Sequence, residues 1–482
     1  MSSAGTSRQT GMTEDRARWV ALYVLCAGML MIVLDVTIVN VALPSIQDDL
    51  GFSNADLAWV VNAYLIAFAG LLLLSGRLGD LLGRRRVLMI GLVVFTVASL
   101  ACGASQTKAE LVAARFLQGI GGALASAVIL GMIVTLFPEP GEQAKALGVY
   151  GFVASAGGAV GLLAGGVLTQ LISWHWIFFV NVPIGVLTGW LVLRLVPDDV
   201  GIGLGDGMDV LGAVLITTAL MAAVYALVAE RPVAGLVAAA LFLGFVARQA
   251  MAAKPLMPLA LLRSRITIGA NLVQVLTVAG MFGMFFLCTL YVQRVLGWSA
   301  LEIGLGFLPV TVIMGFMSLR VSDRLVGRFG GQPTLLGGTL LATVGLALFT
   351  VAPVDGVYAV HVFPGLVLLG VGMGVAFPAL MAIAMSDVAP EDAGIASGLV
   401  GTTAEAGGAL GLAVLATLAS ARTRHLDGSA VPSPQALTSG YHLAFAIAAG
   451  LLLVAAVVAA TVLRPGGTAT AELALADDDV AA

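Results

Sequence analysis

Two acids and one arginine lie deep in apolar stretches of the chain: Asp35, Glu405 and Arg115. A carboxylate in the middle of a membrane-spanning helix costs about 2.5–3.5 kcal/mol on insertion scales, which makes such a residue a candidate for function. Asp35 stands eight residues before Leu43, where its apolar run ends, and Arg115 stands seven after Lys108, where its own begins. At the helical rise these are about 12 and about 10 Å from the same membrane surface, so the two side chains are placed to meet. Their pairing admits two uses. As a structural ion pair it removes most of the cost of both charges. As a coupling site, Asp35 exchanges protons with the medium while Arg115 offsets the penalty of burying the charged form.

Glu405 stands eleven residues after Gly394, about 16 Å along its helix and so near the mid-plane. It is either satisfied locally, by backbone or by hydroxyls such as Thr402 and Thr403, or left available to a proton or a cation. Gln118, one turn from Arg115, can hydrogen-bond a substrate or bridge helices. Phe282, Phe285 and Phe286 can line a pocket that accepts flat cations by cation–π contact, or simply face core and lipid. Asn40, Asn271 and Gln274 are polar within apolar runs and are further candidates for a lining.

The elements that hold these groups follow from composition. With 60% hydrophobic and 10% charged residues over 482, this is an all-α polytopic membrane protein. Fourteen runs reach spanning length: about 19–43, 55–75, 87–105, 109–136, 144–171, 174–195, 210–229, 233–250, 268–292, 303–319, 334–351, 360–385, 394–419 and 441–463. With the amino terminus inside, 17 Lys and Arg fall in inner segments and five in outer ones, so both termini are expected in the cytoplasm. The first apolar run is too long for a signal-peptide core and stays in the protein. A net charge of −4, with arginines spread over loops, gives no basis for nucleic-acid binding. Cys26, Cys102 and Cys288 lie in apolar runs without CxxC spacing and read as packing residues, so neither metal nor cofactor is implied.

The chain is internally duplicated. Gly148 to Leu162 (GVYGFVASAGGAVGL) returns as Gly398 to Leu412 (GLVGTTAEAGGALGL) with nine of fifteen positions identical, and Glu405 stands where the first copy has Ser155. The repeat unit is then six spans, with an extra hairpin between the halves: 6 + 2 + 6. The division reads 1–18 amino-terminal segment, 19–200 first bundle, 201–258 two-helix insertion, 259–464 second bundle and 465–482 disordered tail. The loop after span two contains Gly76, Gly79, Asp80, Gly83 and Arg84 to Arg86. Its glycines permit a tight turn and close helix contact, and Asp80 can pair with an arginine. Its partner between spans ten and eleven keeps Asp323 and Arg328.

On these motifs the chain resembles the major facilitator superfamily, and within it the fourteen-span drug:proton antiporter family, over nearly its whole length. The loop from Gly76 is similar to the signature between spans two and three, and Leu34 to Pro44 (LDVTIVNVALP) to the span-one signature. Arg115 to Gly119 (RFLQG) is similar to the proton-relay motif, and Gly157, Gly161, Gly165 and Gly166 keep the glycines of the antiporter motif. Leu162 stands where that motif has proline, and His175 where the family has arginine. The resemblance implies a monomer in a bacterial cytoplasmic membrane with a small-molecule substrate and protons as its partners. Asp35, Arg115 and Glu405 would couple protons, and Gly76, Asp80, Gly83, Arg84, Arg85, Asp323 and Arg328 would form a conformational latch. Export of lipophilic cations, of an endogenous antibiotic or of a lipid-like metabolite is implied, with a nutrient importer as the alternative. An intramembrane enzyme lacks support, because there is no GxSxG or HExxH and the four histidines fall near span ends. ATP drive lacks a P-loop.

Overall fold

In hydrocarbon no water competes for backbone groups, so an apolar chain can cross only as helix or closed barrel. All regular structure in the computed structural model is helical. It describes residues 14–53, 56–137, 139–199, 201, 203, 209–229, 231–252, 255–256, 264–386, 393–427 and 432–463. The expected tail 465–482 and the first 13 residues lie outside these, as does the side chain of Ser155.

The described helices are α1 Glu14–Leu50, α2 Ala58–Leu82, α3 Arg84–Ala104, α4 Lys108–Leu136, α5 Pro140–Leu171, α6 Trp176–Phe179, α7 Asn181–Leu195, α8 Val210–Val228 and α9 Pro232–Met251. They continue as α10 Arg265–Arg294, α11 Ala300–Arg320, α12 Ser322–Phe329, α13 Gly331–Leu348, α14 Phe363–Met385, α15 Ala393–Leu426 and α16 Pro434–Thr461. Twelve spans among the described residues are long and apolar enough to cross a membrane, thirteen if the bent α2 counts as one. Its 51° bend lies between Leu72 and Leu74, beside Ser75, whose hydroxyl donates to the Leu71 carbonyl one turn back. We call the face where α1 begins proximal and the face where it ends distal.

Several expected boundaries move: α2 runs to Leu82 rather than 75 and α15 to Leu426 rather than 419, and two further changes bear on the site. The first span does not stop at Leu43: α1 continues through Pro44 to Leu50, because a proline deletes only one ladder bond from an otherwise continuous helix. Asp35 is therefore fifteen residues from the distal helix end, about 22 Å, rather than about 12 Å. The sixth span is broken at Val180 into α6 and α7. Pro183, in the first turn of α7, has no N–H for the Phe179 carbonyl, and the break falls there.

Small residues decide which helices touch, since lipid supplies no hydrophobic drive between them. Gly157, Gly161 and Gly165 put one stripe of α5 against α1: a Cβ at Gly161 would overlap the Thr37 hydroxyl, and one at Gly165 would lie 2.8 Å from the Ile38 carbonyl. The next stripe faces α11, with Gly166 against Ala300 and Leu301 and the Leu162 carbonyl against Gly304. In the duplicated copy, Gly407 and Gly411 pack on Val275 and Ala279 of α10. Equivalent glycines thus make equivalent contacts, α5 with α1 and α15 with α10. The hairpin α8–α9 packs on α2 and α15, and its proximal ends are tied by the buried Asp209, which accepts from Arg248 Nε at 2.8 Å and Gln249 Nε2 at 2.7 Å.

Individual glycines of these stripes differ in spare room. A Cβ at Gly158 has nothing nearer than 3.9 Å, whereas one at Gly161 displaces a hydroxyl that already bonds Val33 and sits 3.0 Å from the Leu34 carbonyl. Gly161→Ala is expected to cost about 1–3 kcal/mol and Gly158→Ala less than about 0.5 kcal/mol. Melting of the detergent-solubilised protein checks this; equal Tm values for both variants would contradict the packing described.

Candidate functional site

Five helices of the amino-terminal half converge on Asp35. Its side chain is completely buried, and Oδ2 accepts from Arg115 Nη1 at 2.5 Å. Oδ1 accepts from Gln118 Nε2 at 2.7 Å and from Asn181 Nδ2 at 2.8 Å. All three neighbours donate, so the ionised carboxylate is the form this cage satisfies. Arg115 is held just as firmly. Its Nε donates to the Val60 carbonyl at 2.9 Å, its Nη1 also reaches Gln118 Oε1 at 2.6 Å, and the guanidinium lies 4.5 Å from the Tyr64 ring centroid. Gln118 Nε2 further donates to Ser99 Oγ at 2.7 Å. Gln118 therefore bridges α1, α3 and α4 from a buried position.

Glu405 is in a different situation. It is half-buried on α15, and among the described residues it has no hydrogen-bond or ion-pair partner. The hydroxyls expected to satisfy it do not: Thr403 donates to Asn271 Oδ1 at 2.8 Å and to the Val400 carbonyl, and Thr402 Oγ1 is buried without a partner. Tyr64, stacked on Arg115, has a buried hydroxyl with no partner among the described residues. Nearby polarity on α10 is divided. Asn271 is committed to Thr267 and Thr403, while Gln274 Oε1 is buried and unpartnered.

The remaining candidates are scattered. Phe286 is 1% exposed and faces Ala416 and Tyr441 inside the carboxyl-terminal helices, Phe285 rests on Phe307 at 5.7 Å, and Phe282 lies beneath Gly408 of α15. They do not form one pocket wall. Asn40 donates to its own helix at Val36. His175 stacks on Trp174 at 3.8 Å, and burial, opposed by Asp49, pushes its pKa below the ordinary imidazole range, so the ring is neutral at pH 7. Leu162 leaves α5 one continuous helix in place of a proline bend.

The loop joining α2 to α3 is tied within its own half. Gly83 has a φ of +93°, which only glycine adopts without strain, and it starts α3 so that Asp199 receives the Arg84 and Arg85 N–H groups at 2.7 and 3.0 Å. Arg84 reaches Asp80 at 3.3 Å, Thr135 Oγ1 at 2.6 Å and the Gly131 carbonyl. Gly79 is pressed against Val128, but Gly76 has open space where a Cβ would be, so no close contact requires it. In the second loop Asp323 is exposed with no ion pair among the described residues, and Arg328 lies over Phe329. The halves are joined across the distal face. Arg294 reaches Asp48 at 2.5 Å and Gln47 at 2.9 Å, and the Leu301 N–H donates to Gln170 Oε1 at 3.1 Å.

Asn181, Ser99 and Tyr64 are the members of this site that the sequence reading passed over. Their signal was present, since each is polar within an apolar run.

A family model described as Major Facilitator Superfamily matches residues 25–412. The puromycin resistance protein pur8 of Streptomyces alboniger is 40% identical over 459 residues, 92% of this chain and 91% of that protein. The cephamycin export protein CmcT of Amycolatopsis lactamdurans is 37% identical over 471 residues, 95% of each. Among solved structures, a bacterial homolog of the human lysosomal transporter Spinster, inward-facing and occupied, superposes with a TM-score of 0.67 over 93% of this chain and 97% of that one. At 14% identity this is a likeness of fold alone.

The cage around Asp35 has a thermodynamic signature. Arg115→Gln leaves a buried carboxylate without its counter-charge and is expected to destabilise by about 3–5 kcal/mol. Adding Asp35→Asn to the same protein removes the stranded charge and restores much of that loss. Thermal melts of the single and double variants decide it, and additive losses would mean that the two groups are not energetically coupled.

Proposed function

The chain belongs to the Major Facilitator Superfamily, and from that premise we propose that it is a proton-coupled antiporter exporting an antibiotic or drug-like compound by alternating access. The observation that carries this reading is the contrast between its two deep acids: Asp35 is saturated by three donors, and the half-buried Glu405 has no partner among the described residues. The names of the relatives support the substrate class, since one is a puromycin resistance protein and another a cephamycin export protein. We read the organisation as 6 + 2 + 6 in a bacterial cytoplasmic membrane, with the proximal face cytoplasmic because it collects 17 of the 23 Lys and Arg. The distal ties from Arg294 and Leu301 then close the outside in the state described.

The coupling runs through packing. A proton on Asp35 removes the negative charge and turns one acceptor oxygen into a donor, so Arg115, Gln118 and Asn181 can no longer all be satisfied by it. The ties from α1 to α4 and α7 weaken while the glycine stripe still clamps α1 to α5. Since α5 also abuts α11, a shift of α1 is passed to the opposite half. Glu405 supplies a negative site for a cationic substrate or for a second proton. Moving one positive charge outward against an inside-negative potential costs about 2.3 kcal/mol per 100 mV, which one returning proton cancels. A dication needs further compensation, and Glu405 is placed to give it.

Asp35→Asn is expected to abolish substrate-driven proton flux, read as dequenching of a pH dye in inverted vesicles, while the protein still inserts. Undiminished flux would refute the antiport reading. Glu405→Gln is expected to impair efflux of a bis-quaternary antiseptic far more than that of a monocationic dye in the same cells at matched expression. Equal losses would assign Glu405 to the general proton cycle or to the packing of α15.

A further inference from the structure

A groove of about 400 Å³ runs between α12, α13 and α14 at the proximal face, lined among others by Leu325, Phe329, Pro333, Gly337, Leu341 and Val375. It opens toward the lipid. Gly337 and Leu341 share one face of α13 with Leu340 and Val344, which are 41% and 53% exposed. At the mouth lies the short helix α12. Leu325 and Phe329 lie one turn apart and enter the groove wall, while Arg324 and Arg328, also one turn apart, occupy the adjoining stripe. Arg320, at the end of α11, continues the same four-residue spacing. Asp323 lies on the opposite side of α12 from Leu325.

Charge accounting distinguishes this loop from its counterpart in the first half. There, the Arg84 and Arg85 side chains pair with Asp80 and Asp198 and their N–H groups with Asp199, which leaves Arg86 without a partner among the described residues. Here, among the described residues, neither Arg320 nor Arg324 has a hydrogen-bond or ion-pair partner, and Arg328 has only the ring of Phe329, 5.4 Å away. Arg324 and Arg328 thus stand on the stripe beside an apolar groove, with Arg320 at the adjoining end of α11, in a protein that crosses a bilayer.

We propose that this groove binds one acyl chain of an anionic phospholipid whose phosphate is held by Arg320, Arg324 and Arg328. A zwitterionic lipid would leave net positive charge unmatched at the interface, and a free anion would leave the apolar wall uncovered. The site stands apart from Asp35 and Glu405 and does not depend on the transport reading.

The test uses the full chain in a non-ionic detergent, observed by native mass spectrometry with added phosphatidylglycerol, phosphatidylcholine of the same chains, or glycerol phosphate. Phosphatidylglycerol is expected to be retained at least tenfold better than either of the others. Each of R320Q, R324Q and R328Q should lower that retention about fivefold. Gly337→Phe fills the groove without altering charge, and a Cβ at that position meets nothing within 4 Å, so this variant should fold and melt normally yet lose the lipid. Equal retention of the two phospholipids overturns the proposal. So does equal binding of glycerol phosphate, or phosphatidylglycerol retention unchanged in both Gly337→Phe and the R324Q/R328Q double variant.

Discussion

An ion pair with no water to share it must be complete within the protein, and the amino-terminal half is arranged to complete one. Asp35 and Arg115 each carry a charge that hydrocarbon would reject, and their direct contact repays only part of that cost. The rest comes from the surroundings: Gln118 and Asn181 on the carboxylate, the Val60 carbonyl and the Tyr64 face on the guanidinium. Each partner comes from a different helix or turn, so the pair also fixes how α1, α2, α4 and α7 sit together. Removing any one donor leaves a buried group short.

The second constraint is that helices in lipid must find one another without a hydrophobic drive. Backbone proximity does this work, and glycine spacing sets it. On α5 the four-residue spacing 157, 161, 165 presents a flat stripe to α1, while 158, 162, 166 presents another to α11. One helix therefore belongs to two interfaces, and the repeat of this pattern on α15 gives α10 the same neighbour that α1 has. A site on α1 is connected to the opposite half through a single intervening helix.

Much of this was legible in the sequence, and the gaps have physical reasons. The meeting of Asp35 with Arg115 followed from counting residues from span ends, although Pro44, read as a boundary, lies inside α1 and the depth of Asp35 was underestimated. Gln118, which could hydrogen-bond a substrate or bridge helices, is bonded to Asp35 of α1 and Ser99 of α3. Asn181 was missed because it enters the cage only through the break before α7, which depends on Pro183 and on where the chain turns after α6. Phe282, Phe285 and Phe286 share one face of α10, as their spacing implies, but that face meets three different neighbours: Gly408, Phe307, and the core between α15 and α16.

The duplication explains why the two acids differ. Equivalent glycines place α5 on α1 and α15 on α10, yet the position occupied by Ser155 in one copy is Glu405 in the other, and the half that carries Glu405 offers it no arginine among the described residues. A repeat that folds with serine does not need the acid for its packing. The half with the caged Asp35 has its charge already satisfied, whereas the half with Glu405 leaves a half-buried carboxyl without a partner among the described residues. Tyr64 belongs to the satisfied half: its ring lies 4.5 Å from the Arg115 guanidinium and joins α2 to the cage.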